Sequence, residues 1–153
     1  MKQPKTGDLA IDFTLKDQHE KTVSLKELKG KKVLLSFHPL AWTKVCAEQM
    51  KSLEANADKF ADLNTVPFGV SVDPIPCKKS WAAELGIEQT GFLCDFWPHG
   101  SVARDYGIFR EGNGFSERAN IIIDENGKIL LVKVYPIGEL PDIKEILEIL
   151  SKS

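Results

Sequence analysis

VLLSFHPLAWTKVCAEQM, residues 33–50, decides the fold because its periodicity changes halfway along. Val33 through Phe37 is a short, mostly apolar run, the mark of a strand covered on both faces. From about Val45 the pattern turns helical. Met50, Leu53, Ala57 and Phe60 recur at helical spacing with Lys and Asp between them, which predicts a helix to Phe60. A strand feeding a helix is the unit of layered α/β folds. Cys46 stands at this junction, in the first turn of the helix.

Working outward, Leu9, Ile11, Phe13 and Leu15 alternate with other residues and predict a half-buried strand over 9–15. Ser24-Leu25-Lys26-Glu27 reads as a capping box that opens a short turn ended by Gly30. Residues 66–72, VPFGVSV, predict a second buried strand ending at Asp73-Pro74. A helix over 77–85 closes at Gly86, a short strand spans 92–94, and a helix over 101–106 stops at Gly107. ANIIID and KILLVKVY flank Glu125-Asn126-Gly127, and Asn-Gly between two apolar runs is a strong hairpin signal. Ile143, Ile146, Leu147 and Leu150 mark a last helix. This order implies an α/β fold, a central mixed β-sheet with helices on both faces, in one domain over residues 1–153. Ligands of such sheets sit beyond the carboxyl ends of the strands, where Cys46 lies.

The 153 residues suit one domain, and a chain this long buries roughly 68–70% of its unfolded surface without needing disulfides. A net charge of -2 argues against nucleic acid as a partner, because phosphate binding needs a basic face. No segment approaches the roughly 18 apolar residues of a membrane span, and the polar start MKQPKTGDLAID lacks a signal-peptide core. The expectation is a cytoplasmic protein. Three cysteines, Cys46, Cys77 and Cys94, fit a reducing compartment where thiols are inert or catalytic.

A helix N-terminus presents unpaired N–H groups and a partial positive charge, so a cysteine there is more acidic and more nucleophilic. Thr43 lies one turn earlier, its hydroxyl within reach of the sulfur or of what the sulfur attacks, and Pro39 fixes the chain's exit from the strand. Flanked by Val45 and Ala47, Cys46 reads equally well as a small buried hydrophobe. Composition and spacing leave these two readings open.

P-L-A-W-T-K-V-C, Pro39 through Cys46, resembles the PxxxTxxC motif of the peroxiredoxins, the AhpC/TSA family of thiol peroxidases. The resemblance runs from about Gly7 to Leu150, with GDLAIDFTL, SVDP and RANIIID in the corresponding places. CDFWPHGSVARDYGIF is similar to the branch of the E-type alkyl hydroperoxide reductase. It implies a thioredoxin-like fold, a peroxide substrate and no cofactor or metal. By position, Cys46 resembles the peroxidatic cysteine, Thr43 the hydroxyl that holds the peroxide, Arg118 the activating guanidinium and Pro39 the shield of the sulfenic acid. Without the motif, Arg118 reads as a surface partner of Glu117 or Asp124. Where the family usually carries Glu, this chain has Gln49, which leaves the positioning of Arg118 open; Glu48 beside it reads as solvated.

The sulfenic acid is reduced by a second cysteine or by an external thiol such as a thioredoxin or glutaredoxin-type protein. Cys77, with Pro76 before it and two lysines after it, reads as an exposed, fairly acidic thiol and the candidate resolver, alongside a one-cysteine route. Cys94, in an apolar strand, reads as structural. Thr43 in the first place of a would-be C-x-x-C disfavours dithiol exchange, and no paired spacing supports a metal site from the cysteines, His38 and His99. His38 reads as a strand-end residue facing solvent. A sensor or chaperone would use the same cysteine without turnover. Phe37, Trp42, Trp81, Phe96 and Trp97 read mainly as core, with Trp42 also a candidate wall of the pocket or of a subunit contact. Family members often dimerise, so a homodimer is an open expectation.

Overall fold

The computed structural model describes residues 3–153. Its main sheet holds seven strands: β1 (Thr14–Lys16), β2 (Thr22–Ser24), β3 (Lys32–Phe37), β4 (Thr65–Ser71), β5 (Gly91–Cys94), β8 (Arg118–Ile123) and β9 (Ile129–Tyr135). They lie in the order β2-β1-β5-β4-β3-β8-β9, and a small hairpin of β6 (Phe109–Arg110) and β7 (Phe115–Ser116) stands apart. β3, β4 and β5 are parallel, while β1, β2, β8 and β9 pair antiparallel, so the sheet is mixed.

The helices are α1 (Lys44–Ala55), α2 (Ala57–Asp62), α3 (Ile75–Leu85), α4 (Ser101–Asp105) and α5 (Ile143–Ser151). Alternation along β3 sends Val33, Leu35 and Phe37 into one buried cluster, with Val102 and Ala103 of α4. Leu34 joins the other cluster, with Cys46, Met50, Phe60, Trp81 and Ile146 from α1, α2, α3 and α5. Helices therefore cover both faces, as the sequence pattern predicts.

Four local differences have physical causes. The strand expected over 9–15 is regular only at 14–16, because residues 7–10 cross the β8–β9 turn instead, with Ala10 N–H bonding Gly127 O and Gly7 N–H bonding Ile129 O. The long helix breaks at Asn56, whose side-chain amide takes the Ser52 carbonyl (2.7 Å) that its backbone N–H would have used. Ser24 forms no side-chain cap, and its hydroxyl is buried without a partner. In the β8–β9 turn only Gly127 has positive φ (81°), and Asp124 Oδ1 accepts from Asn126 and Lys128 N–H, giving a three-residue loop.

Small residues open space at the carboxyl end of the sheet. A Cβ on Gly69 of β4 would lie 2.2 Å from Met50 Sδ and 3.3 Å from the His38 ring, so only glycine lets α1 and His38 pack there. None of the helices among the described residues is long and apolar enough to cross a membrane.

Candidate active site

The loop between β3 and α1 delivers Cys46. His38 N–H makes the last ladder bond, to Val70 O (3.0 Å), and Pro39, buried, turns the chain out of the sheet. Trp42 adopts φ 66°, a left-handed conformation uncommon for an aromatic residue, which folds the loop back onto the helix start. Thr43 is the residue before α1, yet its side chain does not cap the helix; its Oγ1 donates to Leu40 O at 2.8 Å. The first intrahelical bond is Ala47 N–H to Thr43 O. The N–H groups ahead of it, that of Cys46 included, precede any i−4 partner and remain for an anion.

Cys46 is buried, and its Sγ accepts a hydrogen bond from Arg118 Nη1 at 3.3 Å. The same nitrogen donates to Gln49 Oε1 at 2.7 Å, and Arg118 Nε donates to Ile137 O at 2.8 Å. Gln49 is fixed in turn: its Nε2 donates to Ser36 Oγ (2.7 Å) and to Phe37 O (3.2 Å). Arg118 is thus a buried partner of sulfur, not a surface partner of Glu117 or Asp124. Gln49 holds it through the amide oxygen while its amide nitrogen serves β3, a two-sided bond that a carboxylate cannot make.

Residues 6–132 match the AhpC/TSA family model. The chain belongs to that family, the peroxiredoxins. It is 37% identical over 137 residues to alkyl hydroperoxide reductase E of Mycobacterium tuberculosis, covering 89% of each chain. Its fold matches a reduced 2-Cys peroxiredoxin of Plasmodium vivax with TM-score 0.86 and 29% identity, over 97% of this chain and 81% of the other. It also matches peroxidoxin BcpB of M. tuberculosis with TM-score 0.84 and 27% identity, over 97% of both chains. The peroxiredoxin family and the thioredoxin-like fold expected from the sequence are borne out.

Of the residues singled out by the resemblance, the structure places Arg118 in contact with both Cys46 and Gln49. Thr43 and Pro39 sit on the loop above them, and Glu48 is exposed. All three cysteines are free thiols. Cys77 is bonded elsewhere: its Sγ donates to Asp73 Oδ1 at 3.8 Å. It is half-buried, and burial, then the Asp73 charge, pushes its pKa up, so the acidic thiol expected from its lysine neighbours is not found. Cys94 is buried, and burial pushes it up to about 11.

Two residues depart further from sequence expectation. His38 does not face solvent; it is fully buried, packed against Trp81 at 5.4 Å between ring centroids. Lys78 is also fully buried, with Nζ 2.7 Å from His38 Nε2 and 2.7 Å from Ser71 Oγ. A pattern marks it in hindsight: Lys78, Trp81, Ala82 and Leu85 fall at i, i+3, i+4 and i+7, placing the lysine on the apolar stripe of α3. Phe96 and Trp97, expected in the core, are exposed, Trp97 at 80%, and so is Trp42, expected in the core or as a wall of the pocket or of a subunit contact. They lie with exposed Leu40 in loops at the carboxyl ends of β3 and β5.

Proposed function

We propose that this peroxiredoxin reduces hydrogen peroxide or organic hydroperoxides with Cys46 as the attacking sulfur, in one domain of a cytoplasmic protein. The observation that carries the reading is the Arg118 Nη1 bond to Cys46 Sγ, shared with Gln49. A guanidinium donating to sulfur favours thiolate over thiol. The thiolate attacks one peroxide oxygen; the S–O bond forms, the O–O bond breaks, and sulfur is oxidised by two electrons to the sulfenic acid. The departing alkoxide or hydroxide takes a proton and leaves as alcohol or water. Charge moves from sulfur to that oxygen, so donors spanning both positions stabilise the transition state more than the ground state. Arg118 and the Cys46 N–H are such donors. Thr43 Oγ1, with its proton turned to Leu40, accepts from the peroxide O–H. Pro39 limits water at the sulfur.

An external thiol, of thioredoxin or glutaredoxin type, then attacks the sulfenic sulfur; the S–S bond forms, the S–O bond breaks and water leaves, and a second thiol displaces Cys46 from the mixed disulfide. Supporting this, Cys77 is tied to Asp73 and its pKa is raised, so little of it is nucleophilic thiolate at neutral pH. The exposed aromatic loops around Trp42 and Trp97 suit a homodimer contact. Stopped-flow tryptophan fluorescence tests the assignment, with wild type losing signal on peroxide addition and Cys46→Ser staying silent. Fast reaction of Cys46→Ser would overturn it. Sustained turnover with a thiol reductant separates an enzyme from a sensor that reacts once. A Cys46–Cys77 disulfide found by mass spectrometry after one equivalent of peroxide would replace the external route.

A further inference from the structure

We propose that Asp73 is a positioning residue for peroxide reduction: its carboxylate fixes the Leu40–Ala41 peptide unit, and that unit holds the Thr43 hydroxyl proton away from the peroxide. The inference rests on the reading of Cys46 as the reacting sulfur and of Thr43 as the group that accepts from the peroxide O–H.

Two hydrogen bonds meet at one peptide. Ala41 N–H donates to Asp73 Oδ2 at 2.8 Å, and Thr43 Oγ1 donates to Leu40 O at 2.8 Å. That N–H and that carbonyl belong to the same planar unit, so they turn together. A carbonyl has no proton to give, so Thr43 is the donor, and its oxygen keeps its lone pairs for a peroxide. An N–H held by a carboxylate makes a charge-assisted bond, which also polarises the carbonyl of its own unit toward the Thr43 proton.

The loop has little else to hold it. Thr43 is exposed, and a hydroxyl facing water rotates to suit whatever partner it finds. Pro39 brings no N–H. Among the described residues, Ala41 N–H is the only backbone group of residues 39–42 hydrogen-bonded to another element of the fold. Trp42, the next residue, has φ 66°, a conformation that persists only where its surroundings fix it.

Asp73 is built as an anchor. It lies two residues beyond β4 with both oxygens engaged: Oδ2 also accepts from Ser71 Oγ at 2.6 Å, and Oδ1 accepts from Cys77 Sγ at 3.8 Å. Having given its proton to Asp73, Ser71 Oγ accepts from Lys78 Nζ at 2.7 Å. Lys78 Nζ also meets His38 Nε2 at 2.7 Å and lies over the rings of Phe92 (4.8 Å) and Trp81 (5.3 Å). A hydrogen-bonded chain thus runs from His38 through Lys78, Ser71 and Asp73 to the peptide that steers Thr43. A buried ammonium is costly without an anion near it, and Asp73, one hydroxyl away, supplies that charge.

A double-mutant cycle tests the path. Asp73→Ala is expected to lower the second-order rate with hydrogen peroxide, by stopped flow, about tenfold in the wild-type background and threefold or less in Thr43→Val. Alkylation of Cys46 by iodoacetamide, followed by mass spectrometry of its peptide, should change less than about twofold in Asp73→Ala, because the carbon that sulfur attacks carries no O–H for Thr43 to receive. Equal losses in the two backgrounds overturn the proposal, as do equal losses against the two reagents. A wild-type rate in Thr43→Val overturns the reading of Thr43 and this inference with it, whereas additive losses from an important Thr43 overturn the inference alone. A further measurement leaves Asp73 untouched. Amide hydrogen exchange at Ala41 should quicken about fivefold in Thr43→Val, since one peptide unit loses one of its two bonds. Unchanged exchange there also overturns the proposal.

Discussion

Two cations buried towards the carboxyl end of the sheet, one at each side of β3, are held in opposite ways. Arg118 touches the sulfur; its Nη1 and Nε donate to Cys46, Gln49 and Ile137. Lys78 touches no anion directly and is held by an imidazole, a hydroxyl and two aromatic faces. The chemistry of the groups explains the division. A guanidinium stays charged at any physiological pH and offers several donors in one plane, so it suits direct contact with a reacting atom. An amine gives up its proton when desolvated, so its charge depends on what surrounds it. One site is fixed by geometry, the other by balance.

The largest effect should come from breaking the direct contact. Arg118→Met is expected to lower the second-order rate with hydrogen peroxide by about 10²-fold or more, measured by stopped flow. A loss below tenfold would mean that the direct bond is not what sets the two cations apart.

The lysine should show in stability. Its folded pKa of about 8 lies below the unfolded value of 10.5, so between these pH values the unfolded chain binds the extra proton. Stability from this group therefore rises as pH climbs from about 8 to 10.5, and below 8 the cost of the buried charge is present in full, about 3 kcal/mol. Urea unfolding across that window should show wild type gaining on Lys78→Met by about that amount. Parallel curves would show that Lys78 titrates as an ordinary lysine.

A smaller effect is expected at the joint between the two regions. Gln49→Glu pairs a charge with Arg118 but removes the amide donor that serves Ser36 and Phe37. Loss of that donor should outweigh the added attraction, lowering stability by about 1 kcal/mol in urea titration. A stabilised Gln49→Glu would show that the guanidinium prefers a charged support.

The region around Cys46 was legible because its logic is local. An apolar strand, a proline, a hydroxyl and a cysteine one turn later stand within fourteen positions, 33 to 46, and together fix a strand-to-helix junction. The sequence also left Arg118 open at Gln49, and the answer lay in β3: Ser36 and Phe37 use the amide nitrogen, freeing the amide oxygen for arginine. The second cation was hidden because its partners are distant in sequence. Burial of Lys78 depends on His38, forty residues away, and on a sheet position at Ser71. Polar residues on an apolar stripe are ordinarily discounted, which also misplaced His38. Phe96 and Trp97 were misjudged for the converse reason, since apolar character does not say which loop lies over the core. The break at Asn56 turns on a side chain competing with its own backbone, which helical periodicity ignores.

Ser36 gives the molecule a form of self-inspection. Its hydroxyl steadies Gln49 and its carbonyl faces His38, so one residue of the central strand supports both cations. It pairs with Gly69 on one side and Asn120 on the other. A slip of β3 by a single residue would turn Leu35 or Phe37 toward α1, and both supports would vanish together. A misassembled sheet would therefore lose the hold on Gln49 and the contact to His38 in one step.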